Sequence, residues 1–378
     1  MGLGEVSRRR WSVVAVGVSI IGSQVACFLL PSLDGFATGP VDGGLGDQDG
    51  FTTEPMDGGR GDGSCGDVLT SPKHCGACGH DCLESACSGG VCTPKVVVAG
   101  LRGVRLSVVN GMAYYLDEGA SSFLRRVAVG GGFPESFPMQ CARPWSEMAV
   151  GAQYAFYGCN VVMVRHRTTD LTLDGKFDYQ GPLSPEQVVG DTLYFNRNGA
   201  ILMAPATQLD AFVTVKPISV KALRTIRVVG GQAFYVVDGD AGSIGQVSID
   251  GGIGGPIATS VRPKGLAVDD VGVVWTDEAE GGTVWSQPLT GGKPAGVMLA
   301  RAKAVALGGA YIYATVHGVG PEEGSIVRLR RDGSEPAVEL ARGEFDPLAI
   351  ALDDTFVYWT TAGPQPPIQT GDLRRVAR

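Results

Sequence analysis

Residues 264–300 read KGLAVDDVGVVWTDEAEGGTVWSQPLTGGKPAGVMLA. Lys264–Val268 is an apolar run, and Asp269-Asp270 opens a turn. Val273–Thr276 is a second run carrying Trp275. After a polar loop come a third run, Thr283–Leu289, the turn Thr290-Gly291-Gly292, and a fourth run, Gly296–Ala300. Short apolar runs bounded by Gly and Asp pairs read as strands joined by hairpin turns. Alternation within them is weak, as expected for strands buried on both faces.

The same unit recurs along the chain. Its copies begin SVVNGMAYYLDEG at Ser107, EMAVGAQYAFYG at Glu147, QVVGDTLYFNRNG at Gln187, RVVGGQAFYVVDG at Arg227, LAVDDVGVVWTDE at Leu266, VALGGAYIYATVHG at Val305 and IALDDTFVYWTT at Ile350. The first turn residues are Asn110, Gly151, Gly190, Gly230, Asp269, Gly308 and Asp353, at intervals of 41, 39, 40, 39, 39 and 45 residues. Self-similarity at this period decides the architecture before any other signal. Four short strands per repeat, repeated radially, define an all-β protein, a β-propeller of seven four-stranded blades over residues 94–378. The seventh copy ends after its third strand. An orphan strand, PKVVVAGLRG from Pro94, matches the fourth-strand segment KPAGVMLARA from Lys293. Val96–Ala99 is therefore expected to complete blade seven and close the ring, removing an exposed sheet edge.

Val274-Trp275-Thr276-Asp277 and Val357-Tyr358-Trp359-Thr360 resemble YWTD-type propeller repeats, as in low-density-lipoprotein-receptor class B modules and related bacterial proteins. Copies two and three depart most. The resemblance covers residues 95–378 and implies a binding scaffold, with no reaction. Members of that family often have six blades, which leaves the count open by one.

Three segments precede the repeats. In residues 1–30, Arg8-Arg9-Arg10 leads an apolar stretch from Trp11 to Leu30, the arrangement of an export signal or signal anchor. It contains Val25-Ala26-Cys27, which resembles a bacterial lipobox with Gln24 where the pattern has Leu. The resemblance implies lipidation of Cys27; ordinary secretion and an uncleaved anchor are the alternatives. All three place the rest of the chain in the cell envelope or outside the cell. Residues 31–64 hold ten glycines, seven acidic residues and one basic residue. Such a segment cannot bury enough apolar surface to fold. It reads as a tether with a root-mean-square span of roughly 30–35 Å.

Residues 65–93 carry Cys65, Cys75, Cys78, Cys82, Cys87 and Cys92. An exported cluster of this density implies three disulfides in a module too small for a core, with about 15 connectivities open. Zinc is the rival reading, through Cys75, Cys78, His74 and His80 at C-x2-C spacing. The run HCGACGHDCLESACSGGVC resembles Stig1-like cysteine-rich modules of secreted proteins, which implies a structural role. Cys141 and Cys159 flank one hairpin of the second blade and are expected to form a further disulfide.

Composition sets further limits. The 378 residues include 57 glycines, only 19% are charged, and the net charge is -8. The glycines lack a G-X-Y period, long helical periodicity is missing, and no basic surplus exists. Collagen, a helix bundle and a nucleic-acid binder are thereby excluded. Residues 1–94 hold 5 basic and 11 acidic groups, so the tether and module supply most of the charge and the propeller is close to neutral.

The expected inner strands are mostly apolar. Their charged members are Glu147, Glu186, Arg227, Lys264 and Lys303, with Arg105 just ahead. Such a ring either holds a zwitterion or pairs internally. His166 and His317 lie apart, which gives no support to a His-assisted nucleophile. The loops after the aromatic strands collect Asp117, Glu118, Asp238, Asp240, Asp277, Glu278, Glu280, Glu322 and Glu323. They form a candidate rim for a cationic partner or divalent ions.

The expected function is that of a monomeric, non-enzymatic binding protein holding a protein, peptide or glycan on a loop face. Its membrane link runs only through the N-terminus, and no cofactor is expected. A hydrolase or lyase using calcium at the channel mouth, or a purely structural surface protein, are the alternatives.

Overall fold

The computed structural model describes residues 65–118, 122–139, 147–217, 223–239, 242–252, 254–278, 281–297, 301–320, 322–363 and 370–378. The signal, the tether and Cys27 lie outside them. Over residues 95–378 the chain forms seven four-stranded antiparallel sheets. Their inner strands are Gly103–Val109, Met148–Val150, Leu183–Val189, Leu223–Val229, Pro263–Val268, Ala302–Gly308 and Pro347–Leu352. Each inner strand lies beside the next, and the seventh lies beside the first. This is a seven-bladed β-propeller, and it settles the blade count.

Closure follows the sequence expectation. Lys95–Leu101 is the outer strand of blade seven and pairs antiparallel with Gly371–Ala377, placing Val98 opposite Leu373 and Leu101 opposite Gly371. The first and last strands of the repeat region thus share one sheet.

The core lies between blades and is built by the second strands. Trp275, Trp359, Tyr115, Tyr157, Tyr313, Tyr358, Phe156, Phe195 and Phe234 are the bulkiest fully buried side chains, and all occupy second strands. Each contributes about 1.5–3 kcal/mol by leaving water. This is why an aromatic recurs in every copy of the repeat.

Inner strands begin earlier than their apolar runs. Pairing with the second strand shifts register between Gly103 and Leu106, Pro185 and Gln187, Leu223 and Ile226, Pro263 and Leu266, Ala302 and Val305, and Pro347 and Ile350. A β-bulge at one fixed position therefore recurs in five blades, and blade three carries one further along the strand, at Glu186. A bulged strand leaves N–H groups off the ladder, and they need other acceptors. In blades five, six and seven the hydroxyl of a buried threonine supplies one. Thr276 accepts the Gly265 N–H at 2.8 Å, Thr315 the Ala304 N–H at 3.0 Å, and Thr360 the Ala349 N–H at 3.3 Å. Asp277 accepts the Arg262 N–H at 2.8 Å, and Asp117 accepts the Arg102 N–H at 3.3 Å. In blade five the pair Thr276-Asp277 thus holds both the bulge and the backbone just ahead of it.

The six cysteines of residues 65–92 pair as Cys65–Cys78, Cys75–Cys87 and Cys82–Cys92. Cys159 is also disulfide-bonded, and Cys141 lies outside the described residues. The cysteine-rich module is seated on the ring. Cys75, Cys82 and Cys92 share a hydrophobic cluster with Tyr313, Ile326, Leu340, Val357 and Trp359 of blades six and seven. Glu84 bridges Arg375 at 2.6 Å and Lys95 at 2.9 Å, and Arg342 donates to the Gly89 carbonyl at 3.0 Å. A segment too small for a core of its own borrows one from the propeller.

Candidate functional site at the channel mouth

Antiparallel pairing places the start of each inner strand beside the end of its second strand. Gly103 faces Asp117, Leu223 faces Val237, and Pro263 faces Asp277. The bulges and the loops after the second strands therefore share one face, with the bulges ringing the channel and the loops outside them. The bulges carry Arg105, Glu186, Arg224, Lys264 and Lys303. The last three recur at the repeat spacing.

Two adjoining cavities occupy the mouth. One of 780 Å³ is lined by Arg105, Glu147, Glu186, Asn198, Arg224 and Lys264, among others. The second, of 280 Å³, shares Arg105, Glu147 and Lys264 and adds Arg227 and Lys303 over an apolar floor that includes Leu266 and Ile350.

Most of these charges have partners. Arg105 meets Glu147 at 2.9 Å, Arg224 meets Asp238 at 2.8 Å, and Lys264 meets Glu278 at 3.5 Å. Arg227 donates to the carbonyls of Glu186 and Ile226, at 3.1 and 2.9 Å. Glu186 is buried, and its carboxylate accepts the Ile226 N–H at 3.2 Å. Burial, followed by the Glu147 charge, pushes its carboxyl up to about 8, against the opposing pull of Arg227. A carboxyl so raised favours its protonated form at neutral pH. With Arg105, Arg224, Arg227, Lys264 and Lys303 against Glu147 and Glu186, the inner ring is net cationic in either state. The mutual pairing of the inner-ring charges is thus extensive without being complete.

The acidic rim divides into several environments. Asp117 and Asp277 are buried, and Asp117 also meets Arg125 at 2.9 Å. Asp238 and Glu278 answer the channel-mouth cations. Glu323 accepts the N–H groups of Val319 and Gly320, at 3.0 and 2.8 Å, and Glu322 is exposed. Glu118 ends a second strand, and Asp240 and Glu280 lie outside the described residues. Most of the described rim acids are therefore engaged by the protein's own backbone or cations.

The histidines have structural settings. His166 is buried, stacked on Tyr157, and its Nδ1 bonds the Leu171 carbonyl at 2.7 Å; burial lowers its pKa and keeps it neutral. His317 bonds Asp346 through Nδ1, and burial again lowers its pKa. Among the described residues, the set of His, Cys, Asp and Glu atoms close enough to share a metal ion is Cys75, Cys82 and Cys92, all three in disulfides.

Sequence reasoning missed Arg224, which sits on a bulge outside the expected strand. Its signal was present, because Arg224, Lys264 and Lys303 follow one another by 40 and 39 residues.

No family model matches the chain, and no curated protein matches it. Solved structures do. The chain resembles the RRP9 WD40 repeats at 11% identity and a TM-score of 0.54, covering 75% of this chain and 97% of that one. It resembles a puromycin-hydrolyzing peptidase of Mycobacterium tuberculosis at 14% identity and a TM-score of 0.56, covering 73% of this chain and 51% of that one. A computationally designed protein, Ika8, matches at 9% identity and a TM-score of 0.53, covering 75% of this chain and all of that one. At these identities the likeness is one of fold. It places the chain among β-propellers.

Proposed function

We propose that this chain is a non-enzymatic binding protein of the cell envelope or cell exterior that takes a hydrophilic protein, peptide or glycan segment at the channel mouth. The observation that carries this reading is the 780 Å³ cavity, rimmed by Arg105, Glu147, Asn198, Arg224 and Lys264 on one face of the ring. Charges of both signs and a side-chain amide, held on rigid bulged strands, suit polar recognition. The export signal and the disulfide-stapled module support an address outside the cytoplasm. The YWTD-like pattern supports kinship with binding propellers, through the Thr and Asp that shape the mouth. Lipidation of Cys27 would tether the ring through the Gly/Asp-rich segment.

The test is capture from envelope extracts and glycan arrays by the full chain, beside a double variant, Arg105→Ala with Lys264→Ala, of unchanged circular dichroism. A ligand held by the first and lost by the second supports the reading. Identical retention by both proteins places binding away from the channel mouth and overturns the reading, and none by either favours a purely structural surface protein.

A further inference from the structure

A third cavity lies on the same face, between blades five and six. It has a volume of 430 Å³ and is lined by Arg262, Glu278, Arg301, Lys303 and His317, with glycines between them. Its charge follows from a break in the repeat. Leu223–Val237, Pro263–Asp277 and Ala302–Val316 are equivalent pairs across the inner and second strands. The next residues on each side are Arg224 with Asp238, Lys264 with Glu278, and Lys303 with His317. Blades four and five answer the bulge cation with a carboxylate, and blade six answers it with an imidazole. That imidazole is already bonded to Asp346. Lys303 accordingly has no carboxylate partner among the described residues, and neither have Arg262 and Arg301.

The backbone that carries two of these exposed cations is held in place. The Arg262 N–H is held by Asp277 at 2.8 Å, and its carbonyl accepts the Glu278 N–H at 3.0 Å. The Arg301 N–H is bonded to the Gly281 carbonyl at 2.5 Å, and its own carbonyl accepts the His317 N–H at 3.1 Å. Gly282 permits the close approach, since a Cβ there would come within 2.5 Å of the Arg301 Cα. Arg301 also adopts a left-handed φ of 64°. That conformation is uncommon for a long side chain and natural for glycine. A strained position occupied by a cation, where glycine would be cheaper, points to a use for the cation.

We propose that the cleft between blades five and six binds a small polycarboxylate anion, through Arg262, Arg301 and Lys303. Two guanidinium groups match carboxylates in bidentate fashion, and the ammonium adds a point charge. The cleft's volume suits a citrate-sized molecule, and among the described lining residues one carboxylate, Glu278, opposes it. The inference goes beyond the binding reading to a second site on the same face, and it rests on that reading only for the choice of face.

The probe is citrate, titrated calorimetrically into the full chain at 150 mM salt, with acetate and sulfate for comparison. The expected result is saturable citrate binding at least tenfold tighter than acetate or sulfate. Arg301→Gly is expected to weaken it at least tenfold while leaving Tm unchanged or higher. Lys303→Gln should weaken it several-fold, and Arg224→Gln, outside the cleft, should leave it intact. Equal affinity for all three anions, or citrate binding insensitive to Arg301→Gly, overturns the proposal. So does an Asp/Glu-rich peptide that competes at lower concentration than citrate and depends on the same residues, which would make the cleft a peptide site. Loss of citrate binding in Arg224→Gln alone would place the anion at the channel mouth, so the cleft would fail while the mouth reading stood.

Discussion

The hydroxyl of Thr276 donates to the carbonyl of Lys303 at 2.9 Å, tying the second strand of blade five to the bulge of blade six. The same oxygen accepts the Gly265 N–H. One buried side chain therefore satisfies a bulge in its own blade and another in the next. Thr276→Val keeps the shape and removes both bonds, stranding a half-buried donor and a half-buried acceptor. The expected cost is about 1–3 kcal/mol. Thr315→Val removes one such N–H acceptor, at Ala304, and is expected to cost less. Urea unfolding of the two variants checks the order; equal costs would refute the two-blade role of Thr276.

Ring closure makes a second prediction. Leu101 is buried beside Ala113, Tyr115 and Val127 of blade one, although it belongs to the outer strand of blade seven. A chain beginning at residue 102 would lose this contact and expose the edge of Gly371–Ala377. It is expected to melt well below a chain beginning at residue 94, and to aggregate. Both lack the cysteine-rich module, so the comparison isolates the closing strand. Matching thermal curves from the two would refute closure by this strand.

The ring was legible because its signals are local and repeated. A turn, an aromatic strand and a fixed interval suffice to give seven blades, and the orphan strand at Val96 had an obvious vacancy to fill. The channel mouth was legible only in part. Glu147, Glu186, Lys264 and Lys303 lay on or at the ends of apolar runs and could be read as lumen residues. Arg224 lay outside those runs, because a bulge extends a strand past its alternation and leaves no hydrophobic mark, and Arg301 stands in the turn just ahead of Ala302–Gly308. Asp117 and Asp277 looked like loop acids, since sequence does not show that a bulge beside them has N–H groups to cap. The seat of the module depends on contacts such as Glu84 with Arg375, which are 291 residues apart. No local pattern encodes that distance.

That seat has a measurable consequence. Cys82 and Cys92 are 1% and 0% exposed and pack in the same cluster as Trp359. Replacing both with Ala removes the constraint on a loop spanning 10 residues, worth about 2–4 kcal/mol if the module were isolated. Here the loss should reach the propeller, because blades six and seven lose part of their cover. Near-ultraviolet circular dichroism, which reports tryptophan packing, is expected to show the ring melting at a lower temperature in the double variant. A ring transition unmoved by the change would show that the module rides on the propeller without supporting it.

Glu186 makes stability depend on pH in an unusual sense. Its folded carboxyl is raised from 4.5 to about 8, chiefly by burial. A raised carboxyl means that the folded state holds a proton that the unfolded chain releases above pH 4.5. The unfolded state then binds fewer protons, so stability falls as pH rises from about 4.5 towards 8. Every tenfold gain in proton affinity on folding corresponds to about 1.4 kcal/mol, and relaxation around the buried group brings the expected loss to roughly 2–4 kcal/mol. Glu186→Gln keeps the shape, retains an oxygen for the Ile226 N–H, and cannot ionise. It is expected to unfold at higher denaturant than the parent at pH 8 and at nearly the same denaturant at pH 5. Parallel pH profiles for parent and variant would refute the protonated buried carboxyl.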